Sequence, residues 1–262
     1  MFTVIVTAHD RPQLLRRALR SLSAQAWSDF KVIVVSDNAT YLPPYQELAA
    51  LDGRFTYVIR TGEAGPGASR DAGVALAESP YLMFLDDDDT IEPQHLELMA
   101  QAIGESTPDL LYCDFKVLFE DRSVDPPVVT RPPELFSLAA YDPSQIFVRN
   151  YLVNSCVMYR REVAAAVRHD PSLRINEDWD FLMSCAKGRV LRYCPFNTVV
   201  IHKTSGSAAA NARRGNTAND AENVIGTMLK LYQRHKATTY FQQLGRKQLM
   251  LRAGVDLPVE RY

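Results

Sequence analysis

The sequence predicts an α/β fold: a mostly parallel sheet flanked by helices, with a helical tail at the C-terminal end. Three observations carry this. Short apolar runs alternate with stretches of helical periodicity as far as Val117. The early runs end in polar clusters, at Thr7 through Asp10, at Ser36-Asp37-Asn38 and at Asp86 through Asp89. Beyond Asn219 the strand signals stop and helical spacing continues alone.

The elements follow in order. Thr3 to Thr7 is a first strand. Leu14, Leu15, Ala18, Leu19 and Leu22 then recur at helical spacing, with Asp10 and Pro12 marking the start of the helix. Lys31 to Val35 is a β-branched second strand. Pro43-Pro44 opens a short helix to about Leu51, and Phe55 to Ile59 is a third strand. Gly62 to Gly67 forms a loop before a small-residue helix from about Ala68 to Ala77. Tyr81 to Leu85 is a fourth strand, Pro93 opens a helix to about Ile103, and Leu110 to Val117 is a further strand. Residues 118 to about 145, with Pro126-Pro127 and Pro132-Pro133, read as a long excursion. Asn154 to Tyr159 reads as a strand, Asp178 to Lys187 as a helix with an acidic start, and Thr198 to Ile201 as a short strand ending at His202. Thr204 to Asn219 is rich in Ser, Gly, Ala and Asn and reads as a mobile loop carrying Arg213 and Arg214.

Composition narrows the function classes. Across 262 residues the apolar share is 47%, enough for a sizeable core, and 29 basic against 31 acidic side chains leave a net charge of −2. Such a balance is not that of a general nucleic-acid binder. Cys113, Cys156, Cys185 and Cys194 lie far apart with no CxxC pair, so they read as reduced packing residues in a cytoplasmic protein. The first residues are a strand-length run without the basic flank of a signal peptide, and no run approaches transmembrane length.

The aspartate tetrad is the sharpest chemical feature. Adjacent carboxylates repel unless solvated or joined by a cation, and hard oxygen donors favour Mg2+ or Mn2+ with phosphate oxygens completing the shell. A solvated acidic turn is the competing reading. In an α/β sheet ligands bind beyond the carboxyl ends of the strands, so one crevice can gather all three polar clusters.

Five segments in sequence order resemble the family 2 glycosyltransferases of the GT-A fold, over roughly residues 1 to 205. Val4 through Pro12 is similar to that family's opening strand and first loop. Val34 through Thr40 resembles its second strand and nucleotide-binding turn, and Gly65 through Gly73 its glycine-to-arginine segment. Phe84 through Asp89, followed by Pro93, resembles its DxD segment, and Asn176 through Asp180 its later Glu-Asp motif. The chain departs from the commonest pattern at Asp71, where Asn is usual, and at Ser36, where an acid often stands.

The resemblance implies roles. Asp88 is the metal ligand for Mn2+ or Mg2+, with His202 as a further ligand. Asp37 takes a hydrogen bond from the base of a UDP-sugar, Thr7 and His9 line the same pocket, and Arg70, Asp86 and Asp87 complete the nucleotide site. Asp178 is the general base and Glu177 orients the acceptor, a glycan, lipid-linked or glycoconjugate hydroxyl. One base and no enzyme nucleophile imply an inverting transfer. A catalytic domain of residues 1–218, divided near 115 into nucleotide and acceptor halves, then precedes a helical extension, 219–262. Its basic residues Lys230, Arg234, His235, Lys236, Arg246, Lys247 and Arg252 raise peripheral membrane contact or a homodimer as alternatives to packing on its own domain. Two other functions compete: a sugar-nucleotide nucleotidyltransferase, disfavoured because the first loop Ala8 through Pro12 has no glycine, and a non-catalytic binding relative.

Overall fold

In the computed structural model, residues 2–62, 65–205 and 220–262 are described. β1 (Phe2–Ala8), β2 (Phe30–Ser36), β3 (Phe55–Ile59) and β4 (Tyr81–Asp86) form a wholly parallel block in the order β3-β2-β1-β4. Apolar residues dominate these strands because helices cover the sheet: α1 (Pro12–Ser23), α2 (Tyr45–Ala49) and α3 (Pro66–Leu76) connect them. Pro12 sits in the first turn of α1, where its missing N–H costs nothing, and Leu15, Ala18, Leu19 and Leu22 form the buried face. Each buried leucine of that face contributes about 1.5–3 kcal/mol.

Register decides where the chemistry gathers. Thr7 pairs with Asp86 and Ala8 with Ser36. The carboxyl ends of β1, β2 and β4 therefore lie side by side, which is what brings the three polar clusters together. α3 packs closely because residue 73 is glycine: a Cβ there would fall 2.3 Å from Ile5 Cγ2.

The second half is mixed. β5 (Thr90–Ile91) precedes α4 (His95–Ile103), β6 (Leu110–Asp121) and β7 (Val128–Phe136). β8 (Val157–Arg160), α5 (Arg161–Ala165), α6 (Glu177–Ala186) and β9 (Leu191–Thr204) follow. β8 runs antiparallel between β4 and β6, while β9 runs parallel to β6 and carries β5 at its outer side. The sheet is thus parallel from β3 to β4 and mixed beyond β4.

Two expectations are corrected. The excursion expected over 118–145 contains the end of β6 and all of β7, a hairpin on the sheet edge. Pro132-Pro133 fit there because, among the described residues, β7 pairs with β6 alone and the register shifts between Val117 and Phe119, opposite the prolines. Second, His202 does not end a short strand. It lies inside the 14-residue β9.

α7 (Asp220–Arg234) and α8 (Tyr240–Arg252) pack on the same core through Leu231, Tyr232 and Met250. Arg246 is fully buried, stacks 4.4 Å from the Tyr232 ring, and donates to the carbonyls of Phe147 (2.8 Å), Tyr232 (3.3 Å), His235 (2.6 Å) and Tyr262 (3.0 Å). Arg234 and His235 reach Asp180 of α6. Of the seven basic residues for which membrane contact was the alternative to packing on this domain, Arg246 and His235 are buried, and the more open Arg234 is held by Asp180 and Asp170. No helix among the described residues is long and apolar enough to cross a membrane. The loop expected over 204–219, with Arg213 and Arg214, falls from Gly206 onward outside the described residues.

Candidate active site

At the end of β2 the Asp37 N–H donates to the Ala8 carbonyl (3.2 Å), and its buried carboxylate meets three elements. One oxygen faces His9 Nδ1; the other accepts the Gly65 N–H at 2.8 Å, with Arg60 at 3.8 Å. Asp10 adopts a left-handed φ of 45°, which turns the chain sharply between β1 and α1, and its carboxylate takes the Asn38 amide. His9, Asp10, Asp37 and Asn38 therefore form one corner. Thr7 lies on β1 directly beside Asp86.

The tetrad is not a solvated turn. Asp86 is the most open of the four, its side chain 28% exposed, whereas Asp87, Asp88 and Asp89 are buried. Strand alternation stops at Asp86, since the Asp89 N–H turns back to the Asp86 carbonyl at 3.0 Å. Asp86 and Asp88 consequently face different partners. Asp86 takes Arg70 Nη2 at 2.9 Å. Asp87 takes Arg11 Nη2 and the His9 N–H (3.3 Å). Asp88 Oδ2 takes Arg11 Nη1 at 3.0 Å and Arg122 Nη1 at 3.3 Å. Asp89 takes Ser155 Oγ at 2.9 Å and the His202 N–H at 3.3 Å, tying β4 to β9. Burial pushes the Asp87 carboxyl up to about 7 even though Arg11 pulls it down, and burial with the charges of Asp86 and Asp88 raises Asp89 well above the carboxylate range.

Behind Asp88 lies a second charged cluster that sequence reasoning missed. Glu120 accepts from Arg17 (2.7 Å), Arg122 (2.7 Å) and His202 Nδ1 (3.1 Å). Arg17 and Arg122 also donate to the carbonyls of Asp88 (2.9 Å) and His202 (2.8 Å). Burial works against the Glu120 charge, but these three donors overcome it and hold its pKa down to about 2. His202 Nε2 faces Thr90 Oγ1 at 2.9 Å. With Nδ1 donating to Glu120, Nε2 carries the lone pair, the arrangement in which a carboxylate orients a ligating imidazole. Glu120 and Arg122 gave no sequence signal because their segment read as a loop. Arg11 was visible only as the residue before Pro12.

A further group of acids lies at the start of α6. Asn176 takes a left-handed φ of 58° and turns the chain into the helix. Glu177 Oε1 accepts Arg70 Nη1 at 3.0 Å, and Asp178 Oδ1 accepts the Trp179 N–H at 2.7 Å. Burial, then the Asp178 charge, raises the Glu177 pKa. Arg70 thus bridges Asp86 and Glu177. Its burial disfavours charge, but Asp86, Glu177 and Asp178 outweigh that and raise its pKa. Trp179 is core, with Nε1 on the Ile146 carbonyl at 2.7 Å.

The donor chemistry suits a hard divalent ion. Asp86 Oδ2 and Asp88 Oδ1 accept no hydrogen bond from the described residues, and Mg2+ or Mn2+ needs only one or two protein carboxylates when phosphates and water supply the rest. Among the described residues no three His, Cys, Asp or Glu side chains converge to hold a metal ion.

Comparison with known proteins bears on this geometry. The family described as glycosyl transferase family 2 matches residues 3–168. The succinoglycan biosynthesis protein ExoW of Rhizobium meliloti (strain 1021) is 30% identical over 208 residues, 70% of this chain and 62% of that protein. EpsH of Bacillus subtilis (strain 168), named as a glycosyltransferase, is 30% identical over 180 residues, 66% of this chain and 50% of that protein. The chain therefore spans between half and two thirds of the length of these two relatives. The crystal structure of S. aureus TarS 1-349 with UDP-GlcNAc matches with a TM-score of 0.66 at 19% identity, over 95% of this chain and 71% of that one. The mannosyltransferase PcManGT from Pyrobaculum calidifontis, in complex with GDP-Man and Mn2+, matches with a TM-score of 0.63 at 14% identity, over 97% and 72% of the two chains. These likenesses show a shared GT-A fold. By its sequence match over more than half its length, this chain belongs to glycosyl transferase family 2.

Proposed function

We propose that this protein transfers a sugar from a nucleotide diphosphate donor, a UDP-sugar, to a hydroxyl of a glycan or glycoconjugate, with inversion at the anomeric carbon. One observation carries the reading: Arg70 holds Asp86, at the end of the nucleotide-side strand, to Glu177, at the start of the acceptor-side helix. A sugar donor and an alcohol acceptor need such a junction, since the reacting atoms must approach within about 3–3.5 Å.

Asp37 and His9 hold the base, with Thr7 beside them. Asp88 would hold Mn2+ or Mg2+ with the diphosphate, with Asp86 near the ribose or the waters of the ion, and His202 would serve as a further ligand only by exchanging the Thr90 hydroxyl at Nε2 for the ion. Bound there, the ion supplies Lewis-acid stabilisation of the departing diphosphate. Asp178 accepts the proton of the attacking hydroxyl, and Glu177, fixed by Arg70, orients the acceptor. Relatives and neighbours support the donor class: TarS was solved with UDP-GlcNAc and PcManGT with GDP-Man and Mn2+, while ExoW is named for a polysaccharide pathway.

The test is a thermal-shift screen of nucleotide sugars with and without Mn2+, followed by transfer assays on Asp178→Asn. The expected result is metal-dependent stabilisation by one nucleotide class. The variant should retain nucleotide binding and lose transfer by at least about a hundredfold, the lower range for a general base. Near-normal transfer in Asp178→Asn removes that residue from its role, and no stabilisation by any nucleotide sugar overturns the function.

A further inference from the structure

Asp71 follows Arg70 in α3, and His169 lies 98 positions later, between α5 and α6. The Asp71 carboxylate accepts two donors from that one residue: the His169 backbone N–H, 3.1 Å from Oδ2, and ring Nδ1, 2.7 Å from Oδ1. The ring lies flat on Phe181, with centroids 4.2 Å apart and planes 4° apart, and edge-on to Phe84 at 6.1 Å. Its side chain is 3% exposed. Gly67 closes the other side: a Cβ there would fall 2.9 Å from His169 Cβ and 3.6 Å from Glu177 Cγ. His169 therefore sits beneath the Arg70–Glu177 bridge.

This pairing accounts for a departure noted in the sequence. Asp71 stands where the family resemblance leads one to expect Asn. Asn offers one acceptor oxygen, and its NH2 would face a second donor. A carboxylate accepts both N–H groups and fixes the tautomer with the proton on Nδ1. Nε2, buried and without a partner among the described residues, then keeps its lone pair. Burial first, and Arg70 besides, hold the His169 pKa below its ordinary value against the pull of Asp71. The ring stays neutral, as a packed aromatic should.

We infer that Asp71 and His169 are positioning residues. Their pair clamps the segment leading into α6 onto α3, and so sets where Glu177 and Asp178 stand relative to Arg70 and Asp86. The chain between the clamp and the helix is short, from Asp170 to Asn176; α7 holds its start through Arg234 on Asp170 and Lys230 on Ser172, and the Asp71–His169 pair is what ties it to α3. The inference rests on the reading of Asp178 as the base.

The test compares the full chain with His169→Phe, Asp71→Ala and Asp71→Asn. Phenylalanine keeps the stack on Phe181 and removes both ring nitrogens. Turnover is read as UDP release from UDP-glucose, UDP-galactose and UDP-N-acetylglucosamine, binding by calorimetry with UDP and Mn2+, and the clamp by deuterium uptake over residues 168–178. The expected result for His169→Phe and Asp71→Ala is a fall in kcat of about ten- to a hundredfold, the scale of a misplaced reacting group. UDP affinity should change by less than threefold while uptake over 168–178 rises, and Asp71→Asn should recover part of the kcat. Wild-type kcat and uptake in His169→Phe overturn the inference, as does a loss of kcat matched by an equal loss of UDP affinity. If the unaltered chain releases no UDP from any of these donors, the UDP-sugar reading fails on its own, and unchanged uptake in His169→Phe then overturns the clamp separately.

Discussion

Arg70 and Glu177 stand 107 positions apart in the chain and 3.0 Å apart in space. The same guanidinium reaches Asp86 at 2.9 Å, so one buried cation joins the two sides of the cleft. Each side brings a carboxylate, Glu177 largely buried and Asp86 partly open, and the buried guanidinium is their shared counter-charge.

Arg70→Ala should leave both acids uncompensated. The expected loss is about 3–5 kcal/mol of unfolding free energy, the range for breaking a buried ion pair. Arg70→Lys keeps the charge but cannot fork to both acids, so its loss should be smaller in stability and comparable in transfer rate. Urea unfolding and steady-state kinetics on both variants make the comparison; equal stability of Arg70→Ala and the unaltered protein would contradict the bridge.

Asp88→Asn should weaken Mn2+-dependent UDP binding while sparing metal-free binding. Losing an outer partner of a metal site costs about ten- to a hundredfold in affinity, so loss of the carboxylate itself should cost at least that. Asp89→Asn should instead lower stability, since Asp89 ties Ser155 and His202 together and is the less open of the two. Calorimetry with UDP, with and without Mn2+, separates the roles.

Gly73→Ala tests the approach of α3 to the sheet. The added methyl would stand 2.3 Å from Ile5 Cγ2, on a backbone that both elements hold in place. Overpacking of this kind costs about 1–3 kcal/mol. A lower denaturation midpoint with an unchanged slope is the expected reading.

Glu120 should show its contribution as a pH dependence. Its folded pKa lies at about 2, below the ordinary value of 4.5, so the unfolded chain binds the proton first. The stability it supplies is fully present above about 4.5 and is lost as pH falls toward 2. Glu120→Gln should therefore be less stable than the unaltered protein at pH 6, and the gap should narrow by pH 3. A gap that widens on acidification would contradict the sign.

Arg246→Leu should undock the C-terminal helices. Removing the guanidinium strands the carbonyls of Phe147, Tyr232, His235 and Tyr262, and each buried unsatisfied acceptor costs about 1–3 kcal/mol. Limited proteolysis should cut near α7 in the variant before it cuts the sheet.

Much of the parallel block was legible before any coordinates. Apolar runs of strand length and leucines at helical spacing are local signals, and β1 through β4 follow them closely. The polar strand ends at Thr7, Asp37 and Asp86 were legible for the same reason, because a parallel sheet aligns its carboxyl ends. β7 was not: every residue from Val128 to Phe136 is exposed, so no burial pattern marks the strand, and two prolines argue against one.

The order of residues sufficed to set the parallel block, the family and the inventory of acids. Which cation serves which acid was settled only when the chain folded. Arg11 on Asp87 and Asp88, Arg70 on Asp86 and Glu177, and Arg122 on Asp88 and Glu120 join positions from distant elements. A buried carboxylate needs donors or a counter-charge wherever packing puts it. Packing, unlike helical or strand periodicity, is decided by the whole chain at once.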